Sequence, residues 1–170
     1  MQRVMIIGCG GAGKSTMAKK LAEITGLPLY HLDKMFWKSG WEMLPTPEWK
    51  EMQTELCEKQ KWIIDGNYGS TIDLRMKYAD TILYIDFPRW KCIWGIVKRR
   101  FQYRNRTRPD MTEGCNERLD WTFMKWVWNY REKKRPEMLA LLKEKESEKQ
   151  VIYLKNRNEI DEFLLGICNE

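Results

Sequence analysis

The residues best equipped for chemistry stand together near the start of the chain. Gly8, Gly10, Gly11, Ala12, Gly13, Lys14, Ser15 and Thr16 fall within GCGGAGKST, and Gly8, Gly13, Lys14 and Ser15 have the spacing G-x-x-x-x-G-K-[ST]. Small residues at this spacing let successive backbone N–H groups turn inward around anionic oxygens, and a following helix adds the positive end of its dipole. Lys14 is then expected to reach the β- and γ-phosphates of a nucleotide, with the Ser15 hydroxyl ligating Mg²⁺. The expected cofactors are ATP and Mg²⁺. Cys9, inside the loop, reads as a small spacer and not as a nucleophile.

Three carboxylates sit at or just past the ends of predicted strands, the sheet edge where open α/β proteins bind ligands. Asp65, in WIIDGNY, is expected to hold magnesium through water as the second acidic element; the competing role is capping of a strand end. Asp33, in YHLDKMFW, serves either as general base or ligand for a phosphoryl acceptor, or as a turn residue. Asp86 precedes Pro88 and is expected to cap the helix that starts near Arg89. The single histidine, His31, reads as a packed or hydrogen-bonded side chain.

The net charge of +6 is local. Residues 89–108, RWKCIWGIVKRRFQYRNRTR, carry eight basic and no acidic side chains, while the rest of the chain is close to neutral. That points to a local anionic partner. Arg99, Arg100, Arg104, Arg106 and Arg108 run from a predicted helix end into a polar break, where a closing flap could exclude water and bring guanidinium forks to a transferring phosphoryl. Arg99, Arg104 and Arg108 are the catalytic candidates, and Arg131 and Arg135 could join from beyond the break. Trp37 and Trp41, near Asp33, could line an acceptor pocket. Trp121, Trp126 and Trp128 read as core or lid packing.

Positioning these groups requires an alternation of strands and helices. RVMII, LPLYHLD, KWIID, DTILYID and KQVIYLK read as short buried strands. Helical patterns lie between them, with Thr46 as a cap and Pro47 in the first turn of TPEWKEMQTELCEKQ. Such alternation predicts a parallel sheet covered on both faces. The expected organisation is one α/β domain over residues 1–170, with an acceptor-binding insertion at about 33–60 and a lid at about 100–120. With 43% hydrophobic and 32% charged residues, a globular chain is expected and disorder is excluded. No apolar run has the length of a membrane span, no signal peptide is evident, and five scattered cysteines without C-x-x-C spacing suit a cytoplasmic protein with reduced thiols.

The combination of the phosphate loop with IIDGNY, ILYIDFPRW, KRRFQYRNRTRPD and DWTFMKWVWNY resembles the DNA topology modulation (FlaR-type) proteins, relatives of adenylate and shikimate kinases. The resemblance covers essentially the whole chain. It implies a P-loop NTPase fold of three α/β/α layers with a five-stranded parallel sheet, like that of nucleoside monophosphate kinases. Asp65 is similar to the aspartate of the Asp-Gly after the third strand of adenylate kinases, and Asp33 to the acceptor-side aspartate of shikimate kinases. DGNYG lacks the Pro-Arg that follows in DGFPR, and Arg75 is the available substitute for that arginine.

Three functions compete at this level. The leading one is an ATP- and Mg²⁺-dependent phosphotransferase acting on a nucleotide or other small acceptor. The second is a nucleotide-dependent DNA-binding protein with residues 89–108 along the DNA backbone. The third is a nucleotide sensor with little turnover. No N-K-x-D string for guanine recognition occurs.

Overall fold

A computed structural model describes residues 1–104 and 106–169. The strand β1 (Arg3–Gly8) forms the centre of a five-stranded sheet. After it come α1 (Lys14–Thr25), β2 (Leu29–His31), α2 (Leu32–Phe36), a small antiparallel hairpin of β3 (Trp37–Lys38) and β4 (Glu42–Met43), and α3 (Thr46–Glu58). The chain continues through β5 (Trp62–Asp65), α4 (Ile72–Tyr78), β6 (Thr81–Ile85) and α5 (Arg89–Gln102). An irregular segment then leads to α6 (Trp121–Lys133), α7 (Arg135–Lys145), β7 (Gln150–Leu154) and α8 (Arg157–Cys168). The sheet order is β2-β5-β1-β6-β7, and every pairing within it is parallel.

Alternation along β1 decides how the helices are divided. Val4 and Ile6 face a core with α1, α5, α6 and α8, whereas Met5 and Ile7 face the other side with α3, α4 and α7. A strand buried on both faces must be apolar throughout, and VMII is. The chain crosses from β1 to the β2 edge, returns to β5, and then passes to β6 on the far side of β1. This leaves a crevice at the carboxyl ends of β1, β5 and β6, where strand order reverses.

Several expectations need correcting. β2 ends at His31, and Leu32 already opens a five-residue helix, so Asp33 lies on a helix and not in a loop. Short apolar runs do not separate strand from helix by periodicity alone. Thr46 is the first helical residue of α3; Pro45 occupies the cap position and no side chain caps it. Asp86 does not cap α5 either: Pro88 holds that position, and a residue two places upstream cannot reach the first free amides. Asp86 instead makes a two-pronged ion pair with Arg135, whose Nε and Nη2 donate at 2.8 and 2.7 Å. Arg135 is therefore committed to Asp86, not to the lid, and Arg131 is exposed on α6. In α6 the buried stripe is Phe123, Val127 and Tyr130, so Trp121 and Trp128 fall on the opposite side and are 77% and 50% exposed. Core packing does not describe them.

Asp80, just before β6, ties down the beginning of β1. Its Oδ2 accepts from the amides of Gln2 and Arg3 at 2.9 and 2.8 Å, and its Oδ1 accepts from Thr81 Oγ1. Burial alone would raise its carboxyl pKa, but the Thr81 hydroxyl and the two amides outweigh it and hold it below the usual value. A depressed carboxyl pKa adds stability above the unfolded-state pKa and loses it as pH falls through the folded one. Asp80→Asn should therefore cost about 1 kcal/mol near neutral pH, a small figure because solvent screens the site. Denaturant titrations of both proteins from pH 7 to 3 should show the difference shrinking below about pH 4.

Candidate functional site

The crevice holds a cavity of about 860 Å³, within the range of small-molecule sites. Its floor is the loop between β1 and α1, which supplies Gly10 to Thr16. Gly11 and Gly13 adopt left-handed backbone at φ +78° and +89°, the conformation that turns consecutive amides inward. Gly8, at φ +145°, stands where a Cβ would strike the Ile85 carbonyl. Lys14 folds back over the loop, and its Nζ donates to the carbonyls of Gly8 and Cys9 at 3.1 and 3.0 Å. Contact with the Cys92 thiol and burial both push the Cys9 thiol pKa upward, consistent with a spacer.

Two features of this floor escape sequence reasoning. Asn67 clasps the loop, accepting from the Gly8 amide at 3.0 Å and donating to the Gly8 carbonyl at 2.6 Å. It stands in the DGNYG turn, which periodicity marks only as a turn. Gly95, in the middle of α5, lies against Gly11: a Cβ on Gly95 would strike the Gly11 carbonyl, and one on Gly11 the Cys92 carbonyl a turn earlier in α5. A glycine inside a helical pattern is the signal that could have found this close approach.

Asp65 ends β5 at the cavity wall and is only 4% exposed. Its Oδ2 lies 3.0 Å from His31 Nδ1, as expected of a hydrogen-bonded histidine, while Oδ1 is buried without a hydrogen-bond partner. A carboxylate oxygen orphaned at the edge of a phosphate loop suits a hydrated cation. Among the described residues no three His, Cys, Asp or Glu side chains gather into a cage. Magnesium does not require one, because it keeps several waters and takes one or two protein oxygens beside substrate phosphates. Ser15, also in the cavity wall, is the second protein oxygen available to it.

Asp33 faces the cavity from α2 with its side chain 45% exposed. Tyr68 OH donates to its Oδ1 at 2.9 Å. Burial, followed by the Asp33 charge and this hydrogen bond, pushes the Tyr68 pKa up, so the phenol stays a donor. Trp37 and Trp41, from the hairpin, line the same end as expected. Trp90 and Trp94, from α5, line the cavity too and were not anticipated there.

Residues 106–120 run beside Asp33. Thr112 Oγ1 donates to the Lys34 carbonyl at 2.6 Å, and Cys115 Sγ to the Lys38 carbonyl at 3.2 Å, so the segment lies across the insertion. Of the three arginines singled out, Arg99 and Arg108 turn inward and Arg104 does not. Arg99 Nε donates to Glu117 Oε1 at 2.9 Å, and Arg108 Nε lies 3.1 Å from Glu117 Oε2. Arg108 also lies 3.3 Å from Asp110 and 3.8 Å from Asp33. Arg104 is exposed, forms only a backbone bridge to Glu117, and does not line the cavity. Burial and the like charge of Arg108 lower the Arg99 pKa. Glu117, which joins the two guanidinium groups, was not foreseen.

Arg75 is fully buried in α4 and donates to the carbonyls of Gly66 and Tyr68 at 2.7 and 2.8 Å. Nη1 and Nη2 thus hold the DGNY turn, Nε is buried without a partner, and Arg75 does not line the cavity, which corrects the expectation that it meets an acceptor. Comparison of the chain with models of known protein families and with curated proteins finds no match to either. Among the described residues no helix is long and apolar enough to cross a membrane.

Proposed function

We propose that the chain is an ATP- and Mg²⁺-dependent phosphotransferase of the nucleoside-monophosphate-kinase-like P-loop class, acting on a small acceptor. One observation carries this reading: the glycine-rich loop, the orphaned Asp65 oxygen and the Asp33 carboxylate border one cavity. The loop amides and Lys14 would bind the nucleotide phosphates. Ser15 and Asp65 would hold Mg²⁺, which supplies charge neutralisation on the transferring phosphoryl. Asp33 would receive the acceptor proton, and Arg99 and Arg108 would set the electrostatic ceiling of the site. Catalysis of this kind consists mainly of positioning and charge stabilisation in a site closed to water. The five cysteines are free thiols, which suits the reduced cytoplasm.

The inward turn of Arg99 and Arg108 supports a lid role for these two, while Lys98, Arg104 and Arg106 stay exposed and are the cations a DNA reading would use. The test is ADP formation from ATP and Mg²⁺ with a pool of nucleosides, nucleotides and hydroxy acids. The expected result is acceptor-dependent ADP release that stops when EDTA removes the magnesium. Hydrolysis indifferent to acceptor would favour the sensor reading. Tight DNA binding that falls steeply with salt would favour the DNA reading.

A further inference from the structure

The acceptor end of the cavity has two unusual properties, one of charge and one of shape. Its two inward arginines are already matched by carboxylates. Arg99 and Arg108 face Glu117, Asp110 and Asp33, so two cations meet three anions. Arg118, a further cation there beside Lys98, lies over the face of Trp41 at 4.8 Å from its centroid. Arg75, in α4, is fully buried and bonded to the backbone of the DGNY turn, away from the cavity wall. Lys98, Arg99, Arg108 and Arg118 on this part of the wall are matched in number by Asp33, Asp110, Glu117 and Asp120. No net positive charge is therefore left for a dianionic phosphomonoester, whose burial would need one.

The shape is set by aromatic rings. Trp37 stands 5.4 Å from Trp41 and 5.1 Å from Phe36, and Phe36 packs on the buried Trp49 and on Tyr68. The indoles at the cavity are thus backed by a rigid aromatic stack. Trp41 is also held at φ +66°, the one positive φ outside glycine among the described residues. At that hairpin tip, after Gly40, a glycine or asparagine would sit without strain. A bulky indole kept in a strained backbone at the rim of a site indicates a task for the indole.

Building on the phosphotransferase reading, we propose that the acceptor is an uncharged molecule with a planar ring and a free hydroxyl, a nucleoside in chemical class. The ring lies against Trp37 and Trp41, and the hydroxyl meets the Asp33 oxygen that Tyr68 leaves free. Asp33 takes the hydroxyl proton as the acceptor oxygen bonds to the γ-phosphorus. The bond from that phosphorus to the β–γ bridging oxygen breaks, and ADP leaves with its electron pair. The products are a phosphate monoester and ADP.

The test supplies ATP and Mg²⁺ with adenosine, guanosine, cytidine, uridine and thymidine, each beside its 5′-monophosphate, and with shikimate as an anionic ring alcohol. At least one nucleoside should be phosphorylated with kcat/KM more than about tenfold above any monophosphate or shikimate. Preference for a monophosphate or for shikimate overturns the acceptor class and leaves the phosphotransferase standing. ATP binding without transfer to any acceptor overturns both. The Trp41→Gly variant relieves the strained backbone, so its melting temperature should stay within about 3 °C of the parent. Its nucleoside KM should rise about tenfold while the KM for ATP holds. A fall in melting temperature with an unchanged nucleoside KM would assign Trp41 a purely structural role and defeat the proposal.

Discussion

Lys14→Ala is expected to lower phosphoryl transfer by about 10³-fold while leaving the melting temperature within about 2 °C of the parent. The two halves of that expectation have separate causes. Lys14 is only half-buried, and among the described residues its ammonium bonds only the Gly8 and Cys9 carbonyls. Those carbonyls belong to a loop whose shape is set by positive-φ glycines and by the Asn67 clasp. Removing the lysine therefore takes away no packing on which the fold depends. In the transfer step, by contrast, negative charge moves onto the oxygens between the β- and γ-phosphates, where a fixed cation acts with little reorganisation. Arg157 also lines the cavity, and its Nη1 would stand 3.6 Å from a Cβ at Gly13, so part of the nucleotide affinity should persist. Measuring ADP release beside circular-dichroism melting separates the two effects. Full turnover in the variant would remove the loop from the chemistry.

Much of the frame was legible from residue pattern because the parallel sheet and the loop are local. A strand such as VMII, buried on both faces, shows itself as an unbroken apolar run, and the loop spacing states its own geometry. Asp65 stands at the end of β5 as its pattern predicts, and Asp33 lines the same cavity from α2. What remained hidden depends on pairs distant in sequence. Asp86 finds Arg135 across 49 positions, and nothing near either residue announces the other. Glu117 is joined to Arg99 across 18 positions, through a segment with almost no regular structure to give a period. The division of the arginines had the same origin: Arg104 and Arg108 look equivalent in RNRTR, and only the path of the chain decides that one faces water and the other Glu117. Trp126 packs on Phe123 and Tyr130, but Trp121 and Trp128 are not core residues, for a different reason. Helical periodicity marks a stripe, but Trp121 and Trp128 are large enough to suggest one of their own, and the smaller Val127 turned out to be buried.

Arg75→Met is expected to lower the unfolding free energy by about 3–5 kcal/mol, a fall of roughly 10 °C in melting temperature for a chain of this size. Burial pushes the Arg75 pKa down to about 10, partly offset by the nearby Cys57, Asp65 and Tyr68. At neutral pH the guanidinium thus remains charged inside the protein. Its two bonds hold the Gly66 and Tyr68 carbonyls, the backbone on which Asn67 and Tyr68 are carried to the loop and to Asp33. Methionine fills much of the volume, but it leaves two buried carbonyls unpaired and removes a positive charge whose field reaches Asp65. Gly66 allows no compensation by a larger residue, since its φ is +147° and a Cβ would press on Leu32. Were Arg75 a ligand for the acceptor, the outcome would be inverted: stability kept and acceptor affinity lost. Denaturant unfolding and the acceptor KM, measured on the same preparation below the variant's melting temperature, decide between them. A stable variant with a KM raised about a hundredfold would return Arg75 to the binding site and restore a cation for an anionic acceptor.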